Sequence, residues 1–340
     1  MTGMLRRLLF LAMPVCFCLV SRAQEWRYPV PLDGAIGLID STGAVIPDAR
    51  FEQARASGSG LLAARQASLW GFVDPSGQWV IAPQYLSVDD FAEERTRARV
   101  AEGWIVIDRS GQRITRRAYP EMTAVGGGLA GFQAAPETTR RGRPGQWGIL
   151  SAETGEVLVD PQFDGALAPS EGLMPASRYR RFLVFRLERR WGYVDDRGRW
   201  RVPPEFVSAW PFSDGLGLVS RGGEALYMSA AGDTALTVSH PVAARFREGL
   251  ARVQTQDGWG FIDRTGANAI LARYLAAGDF SGGLAPVRTA DGWGYVNAQG
   301  TMVITPRFRL ARVFEGPLAR VSTPDGEAYV NRAGTQVWPR

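Results

Sequence analysis

Residues 259–266 read WGFIDRTG, and residues 293–300, 34 positions later, read WGYVNAQG. The same octet recurs along the chain as Trp-Gly, two apolar residues, an Asp, Asn or Ser, and a Gly three positions further. Six copies begin with Trp, and three keep the phase with another residue: Trp70, Trp104, Trp147, Trp191, Trp259 and Trp293; Ile36, Ala225 and Glu327. The spacing is 34 residues, except for 43 before Trp147 and 44 before Trp191. A fixed period indicates one supersecondary unit stacked on copies of itself.

Each copy has the same internal order. The Asp-x-x-Gly of the octet suits a β-turn, with the Asp side chain capping the backbone and Gly at the fourth position. A second apolar stretch follows and closes on an aromatic residue, as in Met302 to Phe308. A third stretch reads F-x-x-G-L-A-x-V, as in Phe246 to Val253. The pattern predicts three short strands in each unit, and 40 Gly and 21 Pro leave little room for long helices.

This pattern of W-G-[FY]-[IV]-D-x-x-G, then V-I-x-P-x-[FY], then F-x-x-G-L-A-x-V resembles the bacterial WG (KWG) repeat proteins. The resemblance runs from about residue 35 to the C-terminus and implies an interaction scaffold. Copies 1, 6 and 9 depart from it because they lack the Trp. Terminal copies of an array are commonly atypical, so copies 1 and 9 are interpreted as caps. Copy 6 is internal, which predicts either a local change of packing there or a surface left open.

The predicted fold class is all-β, an array of about nine three-stranded repeats of ~34 residues. We expect an open, twisted β-array, because a 34-residue unit of three strands is small for a propeller blade. The alternative is a closed β-propeller. The final copy stops after its second apolar stretch and is incomplete as a repeat, and a strand within residues 25–32 would complete it in a closed ring.

The first residues have the layout of a secretory signal peptide. Arg6 and Arg7 precede an apolar run from Leu8 to Val20, and small residues stand at positions −3 and −1 before Gln24. The predicted organisation is a signal peptide at 1–23, a linker or N-terminal cap at 24–34, and the repeat domain at 35–340. We expect a periplasmic or secreted protein with no membrane span after cleavage.

The composition excludes several kinds of site. Both cysteines, Cys16 and Cys18, lie in the signal segment, and His240 is the single histidine. The mature chain therefore has no thiol chemistry, and we expect no metal site and no cofactor. All 39 basic residues are Arg, and cleavage lowers the net charge from +5 to +2 because three Arg leave with the signal. This charge does not favour nucleic-acid binding, which needs a clustered basic surface.

The recurring side chains have structural interpretations. A Trp at a fixed phase of stacked units is usually core, so we expect the six Trp to pack inside, and Trp79, Trp200 and Trp210, which are out of phase, to be exposed. Ser or Asn replaces the recurring Asp in several copies, as at Asn297. A turn accepts that exchange and a general acid does not.

The two long spacings predict a binding face. Each adds 9 or 10 residues between a third stretch and the next Trp, on neighbouring units, so both insertions are expected on one side. Arg with aromatic residues suits carboxylate or phosphate groups. The alternative is a pair of solvated loops. The candidate binding residues are Arg140, Arg141 and Arg143 in the first insertion, and Arg178, Tyr179, Arg180, Arg181 and Arg186 in the second.

No catalytic constellation is evident in the sequence. The predicted function is therefore an exported, non-enzymatic scaffold that binds a protein or an anionic envelope polymer. The alternative is a β-repeat hydrolase acting on a glycan. It requires two carboxylates in one cleft, ~5–10 Å apart. The out-of-phase acids available for this role are Glu137, Glu153, Glu171 and Glu188.

Overall fold

The computed structural model describes residues 25–134, 145–182, 185–238 and 242–339. The predicted signal peptide, Glu137 and His240 lie outside these ranges. Within them every regular element is a β-strand, and the strands form nine antiparallel sheets, each made of consecutive strands. No described helix is long and apolar enough to span a membrane.

The sheets are numbered 1 to 9 in chain order. Sheet 1 contains β1 (Tyr28–Leu32) and β2 (Ala35–Ile39). Sheet 2 contains β3 (Gln53–Ala54), β4 (Leu62–Gln66), β5 (Leu69–Val73) and β6 (Trp79–Tyr85). Sheet 3 contains β7 (Ser87–Val88), β8 (Arg95–Val100) and β9 (Gly103–Asp108), and sheet 4 contains β10 (Leu129–Gln133), β11 (Trp147–Ser151) and β12 (Val157–Phe163). Sheet 5 contains β13 (Gly165–Ala166), β14 (Met174–Phe182), β15 (Phe185–Val194) and β16 (Trp200–Phe206).

Sheets 6 to 9 have four strands each. Sheet 6 contains β17 (Ser208–Ala209), β18 (Leu216–Arg221), β19 (Glu224–Ser229) and β20 (Thr234–Val238). Sheet 7 contains β21 (Val242–Ala243), β22 (Ala251–Thr255), β23 (Gly258–Ile262) and β24 (Asn268–Tyr274). Sheet 8 contains β25 (Ala276–Ala277), β26 (Leu284–Thr289), β27 (Gly292–Asn297) and β28 (Met302–Phe308). Sheet 9 contains β29 (Leu310–Glu315), β30 (Leu318–Thr323), β31 (Gly326–Asn331) and β32 (Gln336–Trp338).

A sheet does not coincide with a sequence repeat. Sheet 8 takes β26 from the third stretch of one copy, and β27 and β28 from the Trp-Gly octet and second stretch of the next copy. A two-residue strand, β25, pairs with the far edge of β26. The prediction of three strands per unit is therefore wrong for the four-stranded sheets. The short strand was missed because two residues carry no periodic pattern.

The glycine after the Trp is required by close backbone packing. The pairing of β27 with β28 shifts register between Trp293 and Tyr295. A Cβ on Gly294 would lie 2.4 Å from the carbonyl oxygen of Ile304 in the neighbouring strand. Copy 3 carries Ile105 instead, and its second stretch contacts β9 only through isolated bridges, such as that of Trp104 with Tyr119. Sheet 3 has no regular strand on that edge, whereas sheet 6, with Leu226 after its phase position, keeps β20 there.

The hydrophobic core lies between sheets. Each of nine buried clusters joins one sheet to the next, and the residues two and three positions after each phase position are buried. Between sheets 8 and 9, for example, Tyr295 packs with Phe314 at 5.0 Å between ring centroids. The ninth cluster joins sheet 9 to sheet 1 through Tyr28, Val30, Leu318 and Tyr329. The sheets therefore form a closed ring.

The expectation of an open array is wrong, and the closed β-propeller named as its alternative is observed. The Tyr329 hydroxyl of sheet 9 donates to the Pro29 carbonyl of sheet 1 at 3.0 Å. At the joint between sheets 5 and 6, the Tyr193 hydroxyl donates to the Leu218 carbonyl at 2.9 Å. The two acceptors are equivalent, because Leu218 and Pro29 each lie seven residues before the phase position of their copy. The seam thus repeats the regular joint between sheets.

Two details of the predicted closure also differ. Residues 28–32, predicted as linker or as a strand completing the last copy, form β1, which pairs with β2 of its own sheet. Sheet 9 is complete with four strands of its own, because its first strands come from the preceding copy. Among the described residues, no short strand pairs with the other edge of β1. In sheet 2 the equivalent strand, β4, pairs with β3 through Arg65, and Pro31 is the residue of β1 at the position of Arg65. Proline offers no N–H to such an edge.

Candidate binding surface

The second insertion is a long β-hairpin. Strands β14 and β15 have 9 and 10 residues, and their pairing runs from Met174↔Val194 to Phe182↔Phe185. The equivalent strands of sheet 8 have 6 residues each. The inserted residues extend an existing hairpin instead of forming a separate loop. Arg181 and Arg186 face each other in this register, with only their backbone described.

Two arginines of the hairpin lie over aromatic rings. The Arg178 guanidinium is 5.5 Å from the centroid of Trp200 and 5.9 Å from that of Phe163. Arg189 is 5.3 Å from the Tyr179 centroid and donates to the carbonyl of Asp164 at 3.1 Å. Stacking of this kind contributes about 0.5–1 kcal/mol at exposed sites and holds the guanidinium plane in a fixed direction.

The hairpin surface carries excess positive charge. Across the described side chains, no carboxylate lies within ion-pair distance of the exposed residues Arg178, Arg180 and Arg189. Arg190, beside them, is neutralised by Glu188. We call Arg178, Tyr179, Arg180, Arg189 and Trp200 the hairpin surface.

The first insertion lies at the same hairpin turn of the adjacent sheet. β10 ends at Gln133 and β11 begins at Trp147, so the connection between them corresponds to the tip of the β14–β15 hairpin. Arg140, Arg141 and Arg143 lie outside the described residues. The described ends of β10 and β11, which flank the first insertion, are therefore equivalent to the positions in β14 and β15 that lead into the second, on the neighbouring sheet. The side chains of the second insertion are described only in part.

The phase tryptophans are mostly half-buried instead of central. Trp104 is 7% exposed, whereas the other five pack on the edges of the core clusters. Several carry a stacked arginine, such as Arg97 at 4.2 Å from the Trp104 centroid and Arg252 at 5.3 Å from Trp259. Of the out-of-phase residues, Trp79 and Trp210 are exposed, and Trp200 packs edge-on against Phe163.

The recurring Asp residues form turns. The Asp263 Oδ1 accepts hydrogen bonds from the Thr265 hydroxyl at 2.6 Å and from the backbone N–H groups of Thr265 and Ala267. These bonds, the Thr265 hydroxyl first, hold the pKa of the Asp263 carboxyl below its ordinary value. Asn297 accepts the equivalent backbone bonds. No group of three potential metal ligands occurs among the described residues.

Three of the four acids named from the sequence are described, and two of them have separate partners. Glu171 accepts from the Gly215 N–H at 2.9 Å, Glu188 pairs with Arg190 within β15, and Glu153 lies in a turn of sheet 4. Glu137 lies outside the described residues. Two other carboxylates, Asp90 and Glu315, line one cavity. Burial raises the pKa of both; repulsion from Asp90 adds to the rise at Glu315, and repulsion from Asp89 adds to the rise at Asp90.

That cavity belongs to a cleft at the seam of the ring. A cavity of about 590 Å³ adjoins one of about 320 Å³, and the two share Pro29, Arg55, Arg320 and Tyr329 among their walls. We call the combined space the seam cleft. Its walls come from sheets 1, 2 and 9 and, at Asp90, from the β7–β8 connection of sheet 3. The first cavity opens beside Ile36 and Glu327, the phase positions of copies 1 and 9. The missing tryptophans of these copies were the sequence signal for it.

Sequence comparison decides the family. The profile of the WG containing repeat matches five segments: 70–104, 147–177, 191–224, 259–292 and 293–323. The chain is a WG-repeat protein. The matches coincide with five of the six Trp-led copies, and the first of them ends at the sixth, Trp104. No curated protein sequence matches this WG-repeat protein significantly.

The fold resembles solved structures at low sequence identity. A crystal structure of a eukaryotic initiation factor aligns with a TM-score of 0.61 and 11% identity, over 92% of this chain and 95% of that chain. The crystal structure of AztD from Citrobacter koseri aligns with a TM-score of 0.43 and 13% identity, over 92% of this chain and 94% of that chain. The first likeness concerns the fold alone.

Proposed function

We propose that this WG-repeat protein is an exported, non-enzymatic scaffold that holds an anionic protein or envelope polymer on its hairpin surface. The observation that carries the proposal is that two arginines of the extended hairpin each stack on an aromatic ring. Arg178 and Arg189 are exposed, are held on aromatic rings, and have no carboxylate partner among the described side chains. A guanidinium fixed in this way offers its N–H edge to carboxylate or phosphate groups.

The ring supplies a rigid support for this surface. Each sheet buries both faces against its neighbours, so the base of the hairpin is anchored by residues such as Met174 and Val194, which are fully buried. The predicted signal segment, 1–23, motivates an extracytoplasmic location, periplasmic or secreted. N-terminal sequencing of exported protein is expected to begin at Gln24, and exported protein that retains Cys16 would contradict this location.

The hydrolase alternative is not adopted, because two of the acids proposed for it, Glu171 and Glu188, are engaged with different partners. The scaffold proposal is tested with defined anionic probes. A triple variant, Arg178→Ser, Arg180→Ser and Arg189→Ser, is compared with a control, Arg116→Ser, Arg288→Ser and Arg309→Ser, which removes the same charge from other sheets. Binding of fluorescent polyglutamate and of polyphosphate is measured at low and at high salt.

We expect the hairpin variant to lose at least tenfold in affinity for one of the two polymers, and the control to lose much less. Added salt should weaken binding of the wild type, because exposed charge pairs are screened over about 10 Å at 0.1 M ionic strength. Equal losses in both variants would indicate a general charge effect and reject the hairpin surface as the site.

A further inference from the structure

We propose that the seam cleft is a second binding site, and that its ligand is a short, uncharged oligosaccharide. The cleft exists for two reasons that the repeat pattern makes visible. Ile36 and Glu327 stand where six other copies have Trp, and no short strand among the described residues covers the free edge of β1. The combined cavities are in the size range of small-molecule sites, ~300–1,000 Å³.

The exchange at copy 9 is specific in its chemistry. In sheet 3, Arg97 lies seven residues before Trp104 and stacks on its ring at 4.2 Å. In sheet 9, Arg320 lies seven residues before Glu327 and forms an ion pair with it at 2.6 Å. The cation is kept, and its partner changes from a bulky ring to a carboxylate that leaves space above it. The cleft is thus lined by polar groups already held in place.

Aromatic rings form the apolar walls. Trp70, Tyr329 and Trp338 line the larger cavity. Trp70 and Trp338 are half-buried, and the Arg55 guanidinium lies 4.7 Å from the Trp70 centroid. A sugar ring presents flat C–H faces and a rim of hydroxyl groups. Aromatic faces suit the former, and Arg and carboxylate side chains donate to and accept from the latter.

The charges of the cleft favour an uncharged ligand. Three arginines and four carboxylates line its two cavities: Arg55, Arg312 and Arg320; Glu52, Asp90, Glu315 and Glu327. Most are already in ion pairs, such as Arg55 with Asp90 at 3.6 Å. A ligand of either sign would meet like charges within the same small space. Neutral hydroxyl groups instead find both donors and acceptors.

An extended peptide fits this edge poorly. A peptide that adds a strand to a sheet needs N–H and C=O groups from the exposed edge. Pro29 and Pro31 offer no N–H there, and the Pro29 carbonyl already accepts from the Tyr329 hydroxyl. A saccharide does not depend on this backbone, which favours it over a peptide strand.

The test fills the cleft by restoring the repeat consensus. Glu327→Trp and Ile36→Trp place the missing rings in the cleft, and Ala225→Trp makes the same kind of change at copy 6, away from it. The probes are maltotetraose, cellotetraose and chitotetraose, with an acidic tetrapeptide as comparison, titrated by calorimetry against the full chain. Thermal unfolding of each variant confirms that it is folded.

We expect at least one tetrasaccharide to bind the wild type and the Ala225→Trp control, and the two cleft variants to lose at least tenfold in affinity. Trp338→Ala should also weaken binding without filling the cleft, which separates loss of a stacking wall from steric exclusion. The proposal is overturned if no tetrasaccharide binds, if folded cleft variants bind as the wild type does, or if the peptide binds instead. Release of reducing sugar in the same samples would also reject a simple binding site.

Discussion

Sheet 3 and sheet 9 solve the same packing problem with different residues. In sheet 3, Arg97 stacks on Trp104 and forms an ion pair with Asp89 at 2.6 Å. In sheet 9, Arg320 has the same phase but pairs with Glu327. Both sheets nevertheless bury the side chain two positions after the phase residue, Val106 and Tyr329. In both sheets the residue two positions after the phase position packs into the core and supports the sheet. The residue at the phase position, Trp104 or Glu327, determines which chemical groups line the space above it.

The largest effect is expected from truncating the buried aromatic residue of a consensus sheet. Phe261, two positions after Trp259, is 1% exposed and packs against Phe280 at 4.9 Å. Phe261→Ala should lower the free energy of unfolding by about 3–5 kcal/mol. Trp259→Ala removes a half-buried ring and should cost roughly 2 kcal/mol, by the same scale reduced for partial burial. Urea denaturation measures both.

Trp79→Ala is the control for this pair, because Trp79 is exposed at the outer edge of sheet 2. Its effect should be smaller than that of Trp259→Ala. Equal losses for Trp259→Ala and Phe261→Ala would restore the sequence prediction that the tryptophans themselves form the core.

The next effect compares the seam with an ordinary joint. The Tyr28 hydroxyl donates to the Glu315 carbonyl at 2.7 Å and accepts from the Leu318 N–H at 3.2 Å. Tyr28→Phe leaves that buried N–H without its partner, which costs about 1–3 kcal/mol. Tyr295→Phe removes one bond, to the Arg312 carbonyl, and should cost about 1 kcal/mol. Thermal unfolding of the two variants measures the difference, and a smaller loss at Tyr28 would show that the hydroxyl is dispensable at the seam.

A smaller effect distinguishes turns with Asp from turns with Asn. Bonds to the turn lower the pKa of Asp263 in the folded protein, the Thr265 hydroxyl contributing most. A lowered folded pKa gives stability that is present above the ordinary value of 3.8 and is lost as pH falls through the folded value. Asp263→Asn keeps the acceptor, as Asn297 does, but removes the charge that these bonds stabilise, so stability at pH 7 should fall slightly. The variant should lose less stability than the wild type between about pH 4 and pH 2.

Melting temperatures at pH 7 and pH 3 check this prediction. A parallel fall in the variant and the wild type would mean that Asp263 does not contribute to acid unfolding. Asn297→Asp is the converse change and should increase the sensitivity to acid.

The smallest effect is expected at the hairpin surface. The triple Ser variant of Arg178, Arg180 and Arg189 removes exposed side chains. Arg178 and Arg189 stack on rings and each donates one hydrogen bond, to the Gln162 side chain and to the Asp164 carbonyl. Each change should alter stability by about 0.5 kcal/mol or less, apart from the stacking contribution of about 0.5–1 kcal/mol at Arg178 and Arg189. A loss above about 3 kcal/mol in chemical denaturation would mean that the hairpin is part of the folding core and not a free surface.

Much of this fold was predictable from the chain because period and turn chemistry are local. The recurrence of the octet found at Trp259 was enough to predict the number of copies, the turn at Asp263 and the positions of the long strands. Ring closure was not predictable in the same way. It depends on Tyr28 meeting Tyr329, 301 residues apart. The two-residue strands recur with the repeat, as at Ser208, Val242 and Ala276, but are too short to show an alternating pattern.

The candidate sites divide similarly. The insertions were found because they break the period, and the structure adds that the second is a paired hairpin whose Arg178 lies on Trp200. The seam cleft was missed because Ile36 and Glu327 were interpreted only as degenerate caps. The residues around Ile36 and Glu327 come together only when the ring is closed. Trp70 of sheet 2 and Trp338 of sheet 9 then line the same cavity.

Each sheet consists of consecutive strands, so no pairing of named strands connects one sheet to the next. The joint between sheets 9 and 1 is in this respect the same as the other joints. Cutting the chain at another joint would therefore divide no sheet. A circular permutant that begins at residue 242 and joins the present ends through a short linker would contain the same nine sheets in the same cyclic order. Such rearrangements succeed where few contacts cross the cut and the chain ends lie close together. The order of the sheets around the ring, and not their order from N- to C-terminus, is what this sequence encodes.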